Sequence, residues 1–234
     1  MAGGLEGKIA LVTGASRGIG AATAEALALK GVHVVLVART ASDLEEVEGR
    51  VHDAGGSATI APLDLTDGDS IAKLAGAIGE RWGKLDVLVL NAATLGTLAP
   101  VTAIDGKELN RVLTLNVLAQ QALLAAFDPL LRKSDAGRVI AVTSSVGADP
   151  RAFWGGYGAS KAALDTLVAC YGAETHNISK VRTAILDPGA TRTTMRARAY
   201  PGEDPSSVKA PGVVADAIVA LLERDFDSTE RVTI

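Results

Sequence analysis

Lys8-Ile9-Ala10-Leu11-Val12-Thr13-Gly14-Ala15-Ser16-Arg17-Gly18-Ile19-Gly20 is the stretch on which the reading of this chain turns. An apolar run of strand length meets a turn with three glycines, and a helix-forming stretch follows. Glycines remove Cβ atoms, so backbone amides can approach a pyrophosphate at the helix N-terminus. The spacing is Gly-x-x-x-Gly-x-Gly rather than the commoner Gly-x-Gly-x-x-Gly. A tight strand–helix turn without a ligand also needs glycine; the strand–turn–helix–strand context turns the motif towards a dinucleotide. Gly14, Ser16, Arg17, Gly18, Ile19 and Gly20 are the expected contacts.

Outward from this turn the same alternation repeats. Short runs rich in Val, Ile and Leu predict strands at Lys8–Thr13, Val32–Val37, Ala58–Ala61, Asp86–Leu90, Arg138–Thr143 and Val181–Leu186. Near-continuous apolar runs are what strands buried on both faces require. Longer stretches between them predict helices at Ile19–Lys30, Asp43–Ala54, Ser70–Arg81, Gly106–Arg132, Tyr157–Asn177 and Val213–Arg224. Gly76, Asn116 and Pro129 weaken the edges or straightness of these helices. The pattern predicts an α/β fold: a doubly wound parallel sheet of six to seven strands in a three-layer αβα arrangement. Residues 1–234 read as one domain. The proline- and glycine-rich stretch 190–211 reads as a substrate lid.

Composition narrows the function. The chain has 234 residues and 48% hydrophobic content, which excludes a disordered chain. Its net charge of -4 argues against a nucleic-acid partner. Cys170 is the one cysteine, so neither a disulfide framework nor a cysteine-built metal site is expected. No run approaches the roughly 18 apolar residues of a membrane span. The expectation is a cytoplasmic protein without membrane partner or metal.

The second predicted strand ends Val37-Ala38-Arg39. Enzymes preferring NAD place an acidic residue about 20 residues past the glycines, to hold the ribose hydroxyls. Arg39 instead suits a 2′-phosphate, and Arg17 can meet it from the other side. NADP(H) is therefore the expected cofactor, with NAD(H) as the lesser possibility.

Tyr157-Gly158-Ala159-Ser160-Lys161 opens a predicted helix. Tyrosine and lysine four apart share a helical face. An ammonium beside a phenol favours the phenolate and is expected to lower its pKa. That makes Tyr157 a proton donor or acceptor near neutrality. Ser144 lies just past the fifth strand, thirteen residues before Tyr157, where a hydroxyl can polarise a carbonyl. Asn116 is a poor helix former in mid-helix and wants a polar partner, such as a water or a backbone carbonyl.

Taken together these motifs resemble the short-chain dehydrogenase/reductase family, from about Leu5 to Leu222. The glycine turn matches its cofactor motif. Asp64-Leu65 matches the pair at the adenine, and Asn91-Ala92-Ala93 the Asn-Ala-Gly motif. Asn116, Ser144, Tyr157 and Lys161 match the catalytic tetrad in order and spacing. Pro188, Gly189, Thr191 and Thr193 match the segment at the nicotinamide. The resemblance is to the shorter, single-domain subclass. It implies a Rossmann-type fold and hydride transfer between nicotinamide and a carbonyl or secondary alcohol. Tyr157 would pass the proton, Ser144 hold the substrate oxygen, Lys161 tune Tyr157 and bind the ribose, and Asn116 position a water. A lyase or epimerase of the same fold, or a non-enzymatic NADP sensor, are the alternatives.

The chain departs from the pattern in places. Ala93 replaces a glycine, so its backbone should avoid positive φ. Leu90 stands where many members carry asparagine. Asp187, before Pro188, is expected to bond backbone amides. The ending Val232-Thr233-Ile234 lacks the glycine-ended terminal strand of many relatives, which leaves the seventh strand and a tetramer open. Phe153, Trp154, Tyr157, Met195 and Tyr200 suggest a partly apolar substrate pocket, and Arg192, Arg196 and Arg198 mark the lid. The helix from Tyr157 is apolar over more than one face, which predicts a homodimer or homotetramer.

Overall fold

The computed structural model describes residues 4–227 and 229–234. Strands β1 (Ile9–Thr13), β2 (His33–Ala38) and β3 (Ser57–Pro62) alternate with helices α1 (Gly18–Ala28), α2 (Ala41–Asp53) and α3 (Gly68–Trp82). After β4 (Val87–Leu90) come α4 (Gly106–Leu113), a π-helical turn (Thr114–Leu118) and α5 (Ala119–Leu131). β5 (Arg138–Val142), the single-turn α6 (Ser145–Ala148), α7 (Gly155–His176) and β6 (Arg182–Asp187) follow. The chain closes with α8 (Thr194–Ala199), α9 (Pro211–Glu223) and β7 (Glu230–Thr233).

All seven strands pair in parallel, in the order β3-β2-β1-β4-β5-β6-β7. Successive side chains feed opposite faces. Val12, Leu36, Val89, Ile140 and Leu186 meet α1, α2 and α9 on one face. Leu11, Val37, Leu88, Val139 and Ile185 meet α3, α5 and α7 on the other. Fully burying a side chain of this size contributes roughly 1.5–3 kcal/mol, so two such layers hold the sheet without a cross-link.

The strand order reverses between β1 and β4. Brändén-type crevices at the carboxyl ends of such strands bind ligands, because connections leave there in opposite directions. Thr13 fastens the two ends together. Its hydroxyl donates to the Val89 carbonyl at 3.0 Å and accepts from the Asn91 and Ala92 amides at 2.9 and 3.1 Å.

Four expectations change. The stretch Gly106–Arg132 is not one regular helix, because the π turn interrupts it at Thr114–Leu118. Residues 190–211 are not wholly irregular: α8 forms there, capped by Thr193, whose hydroxyl accepts from the Arg196 amide at 3.1 Å. The one-turn helix α6 occupies the connection after β5. The seventh strand is present, and β7 pairs with β6 from Ala184↔Glu230 to Asp187↔Thr233. Its short, half-exposed sequence Glu-Arg-Val-Thr lacks the apolar run that marks an interior strand.

Candidate active site

A cavity of about 740 Å³ opens over the reversal point. At one end lie the glycine turn and the tip of β2. Gly14 has φ +65°, a conformation that favours glycine, and a Cβ there would lie 2.9 Å from the Asn91 side-chain nitrogen. The N-terminus of α1 has no side-chain cap and no acidic residue in its first turn. Its free N–H groups and positive dipole end therefore suit an anion. Arg17 and Arg39 are exposed at this rim, beside Ala38 and Thr40. Asp64 and Leu65 line the adjoining wall. Bonds from the Thr66 amide and hydroxyl hold the Asp64 carboxyl below its usual range, with a smaller contribution from Arg39. An uncapped helix end, a glycine cradle and two cationic side chains fit a phosphorylated dinucleotide.

At the other end, Ser144, Tyr157 and Lys161 line the same cavity. Ser144 follows β5 as the N-cap of α6, and its hydroxyl makes no capping bond there. Tyr157 lies in the first turn of α7, packed against Leu95 and Val146. Lys161 follows one turn later. Its Nζ donates to the Val142 carbonyl at 2.8 Å and lies 5.7 Å from the Tyr157 ring centre. Burial lowers the Lys161 pKa to about 8, although Asp165 pulls it upward. Tyr157 does not titrate as the sequence suggested. Burial and then the charge of Asp187 push its phenol well above the ordinary value. The lysine's bond to Val142 leaves it too weak a neighbour, in the cofactor-free pocket, to outweigh desolvation.

Asn116 sits in the π turn, fully buried. Its Oδ1 accepts from the Thr94 amide at 2.8 Å, and its Nδ2 donates to the Thr94 carbonyl and to Ser160 Oγ at 2.9 and 3.0 Å. Ser160 in turn donates to the Tyr157 carbonyl at 2.7 Å. The polar partner expected for Asn116 is thus protein: the asparagine splices the β4 loop to the first turn of α7. Gln120 makes a second splice. Its Nε2 donates to Ala92 and Leu115 carbonyls at 3.0 and 2.9 Å. Leu115 lies within the π turn, where the i→i−4 ladder is broken, and the Gln120 amide serves its carbonyl.

Most of the expected site residues meet at this cavity: Gly14, Ser16, Arg17, Gly18, Ile19, Arg39, Asp64, Leu65, Asn91, Ala92, Ser144, Tyr157, Lys161, Pro188, Gly189, Thr191 and Thr193. Two do not face it. Asn116 lies behind it, as described. Gly20 is buried where a Cβ would sit 2.2 Å from the Gly14 carbonyl oxygen, so it serves close packing of α1 on the turn. Asn91 donates through Nδ2 to the Thr13 carbonyl at 2.8 Å. Asp187 accepts from the Gly189 amide at 3.0 Å, as expected, and Ala93 avoids positive φ. Of the lid arginines, Arg196 and Arg198 line the cavity and Arg192 does not. Arg196 is held by Glu203 at 2.5 Å and stacks on Tyr200. Thr13 and Gln120 escaped the sequence reading: a threonine ending a strand and a glutamine within a helix carry no local signal of such bonds.

The comparisons with known proteins agree with this geometry. Residues 8–204 match the family model for short chain dehydrogenase. The oxidoreductase YciK of Escherichia coli is 35% identical over 224 residues, covering 94% of this chain and 88% of that one. A short chain dehydrogenase structure from Pseudomonas syringae superposes with a TM-score of 0.94 at 35% identity, covering 100% and 96% of the two chains. One from Shigella flexneri, complexed with NADP, gives 0.93 at 34% identity, covering 100% and 98%. The chain belongs to the short-chain dehydrogenase family of NAD(P)-binding oxidoreductases that act on alcohol and carbonyl groups.

Proposed function

We propose that this chain is an NADP(H)-dependent carbonyl reductase or secondary-alcohol dehydrogenase. The observation that carries the reading is one cavity with Arg17 and Arg39 at one end and Ser144, Tyr157 and Lys161 at the other. When bound, the nicotinamide supplies or accepts the hydride. Gly14, Ser16, Gly18 and Ile19 hold the pyrophosphate at α1. Arg17 and Arg39 hold the 2′-phosphate, Asp64 and Leu65 the adenine, and Asn91, Ala92, Pro188, Gly189, Thr191 and Thr193 the nicotinamide half.

The protein's part is orientation and proton transfer. Ser144 donates a hydrogen bond to the substrate oxygen and stabilises the charge that builds there. Tyr157 gives its phenolic proton to that oxygen in reduction and takes it back in oxidation. Lys161, brought by burial close to neutral pH, returns a proton to Tyr157 and bonds the ribose. Asn116 holds the π turn in register with α7 through Thr94 and Ser160, and positions the water that links Lys161 to solvent. Residues 190–211 act as a lid over the substrate, within a single domain. The proposal includes a cytoplasmic homo-oligomer.

NADPH oxidation against a panel of ketones and aldehydes tests the activity. Tyr157→Phe should leave cofactor affinity nearly unchanged and lower single-turnover rates by about 10²–10⁴-fold; near-parental turnover would overturn the assignment. The same assay with both cofactors should favour NADP(H) by at least about tenfold, from charged hydrogen bonds partly screened by salt. Ala38→Asp combined with Arg39→Leu should move the preference towards NAD(H).

A further inference from the structure

We infer, on the strength of the proposed activity, that the substrate carries an unbranched apolar chain. That chain lies on a track running from Tyr157 past Trp154 to Val101 and Phe153. The track begins in an apolar cluster separate from both cores of the sheet. Leu95 and Val146 are buried against Tyr157, with Leu98, Trp154, Met195 and Ala199 packed around them. A carbonyl oxygen held at Ser144 and Tyr157 therefore presents its substituents to an apolar wall. The Trp154 ring stands edge-on to Tyr157 at 6.0 Å and extends the wall outward.

The wall continues to the surface. Phe153 precedes Trp154 and is 56% exposed, and its carbonyl accepts from the Ala99 amide at 3.1 Å. This bond sets the loop before α7 beside the loop after β4. Val101 on the latter is 73% exposed, and its Cγ2 lies 2.9 Å from where a Cβ on Gly155 would stand. Glycine at 155 is what admits Val101 there. Phe153 also has φ +72°, a left-handed conformation that is unusual for a bulky residue. An aromatic side chain held this way, in water, with a valine beside it and a catalytic-type cavity behind it, marks a surface that a ligand covers. Because the track leads out to solvent, chain length is the property it reads.

Each fully buried methylene strengthens binding about fourfold, and a half-open track should give about two- to threefold. The chain has two tryptophans, Trp82 and Trp154, so Trp82→Phe makes Trp154 emission a reporter of the track. With NADP⁺ present and no hydride to transfer, 2-alkanones from four to ten carbons are titrated against this variant. The dissociation constant should fall at least about 50-fold across the series. Adding Phe153→Asn, which tolerates positive φ, and Val101→Ser should abolish the gain for the longer members. A dissociation constant independent of length overturns the inference. So does an undiminished gain in the triple variant, or a change only in its sedimentation, which would assign the patch to a subunit contact. NADPH oxidation with the same ketones reads the activity separately. Length-dependent binding without turnover sinks the proposed reaction and leaves the track; turnover with length-independent binding does the reverse.

Discussion

Lys161 is an ammonium only 2% exposed, with the Val142 carbonyl as its hydrogen-bond partner. Burial penalises its charge and brings its pKa from 10.5 to about 8. Between about pH 8 and 10 the unfolded chain therefore holds a proton at this lysine that the folded chain has released. Stability rises with pH over that window, and below it the full cost of burying the charge is present. The cost is on the order of 3 kcal/mol. Lys161→Met should thus be at least as stable as the parent at pH 7.5. Its stability should lack the parent's rise towards pH 9.5, while its turnover is lost and its cofactor binding weakened. Urea denaturation at the two pH values checks this; an equal rise in both proteins would show that the lysine is not the group responsible. Tyr157 acts with the opposite sign, since a phenol with a raised pKa favours the folded state until the unfolded tyrosine ionises near pH 10.

The π turn between α4 and α5 is an element with a function in its own right. A regular helix would rotate Asn116 relative to the residues after it; the extra residue lets both Asn116 and Gln120 face inward. Gln120 then satisfies Ala92 at the candidate cofactor wall and Leu115 inside the turn. Gln120→Leu keeps the volume and leaves two buried carbonyls short of a donor. The expected loss is about 1–3 kcal/mol of stability. Because the Ala92 loop loosens, KM for NADP(H) should rise several-fold with a smaller change in kcat. A stability loss with unchanged KM would limit Gln120 to holding the helix together.

At the scale of the molecule, α7 buries Leu164 and Val168 against the sheet, yet its outer side carries Ala159, Thr166, Cys170 and Ala173 in the open. Leu118, at the end of the π turn, is 61% exposed. Small residues along one helix and an exposed leucine on the next offer a close-packing surface to a second copy. Sedimentation at micromolar concentration should show a dimer or a larger species. A monomer across that range would refute the association, and Leu118→Lys should shift the equilibrium towards monomer without changing the fold.

The alternation of short apolar runs and longer helices was legible in the sequence, since strands buried on both faces must be apolar throughout. The glycine turn, the Arg39 position and the Tyr157–Lys161 spacing were legible too, because each rests on residues a turn or a strand apart. The π turn was not, since Asn116 and Gln120 find their partners across the fold at Thr94, Ser160 and Ala92. The terminal strand was hidden because an edge strand four residues long needs only β6 beside it, and little apolar content. The proton affinities were also decided by the tertiary structure. Four-residue spacing brought Tyr157 and Lys161 to one face, but burial raised the phenol and lowered the amine, and burial is a property of what packs around a side chain.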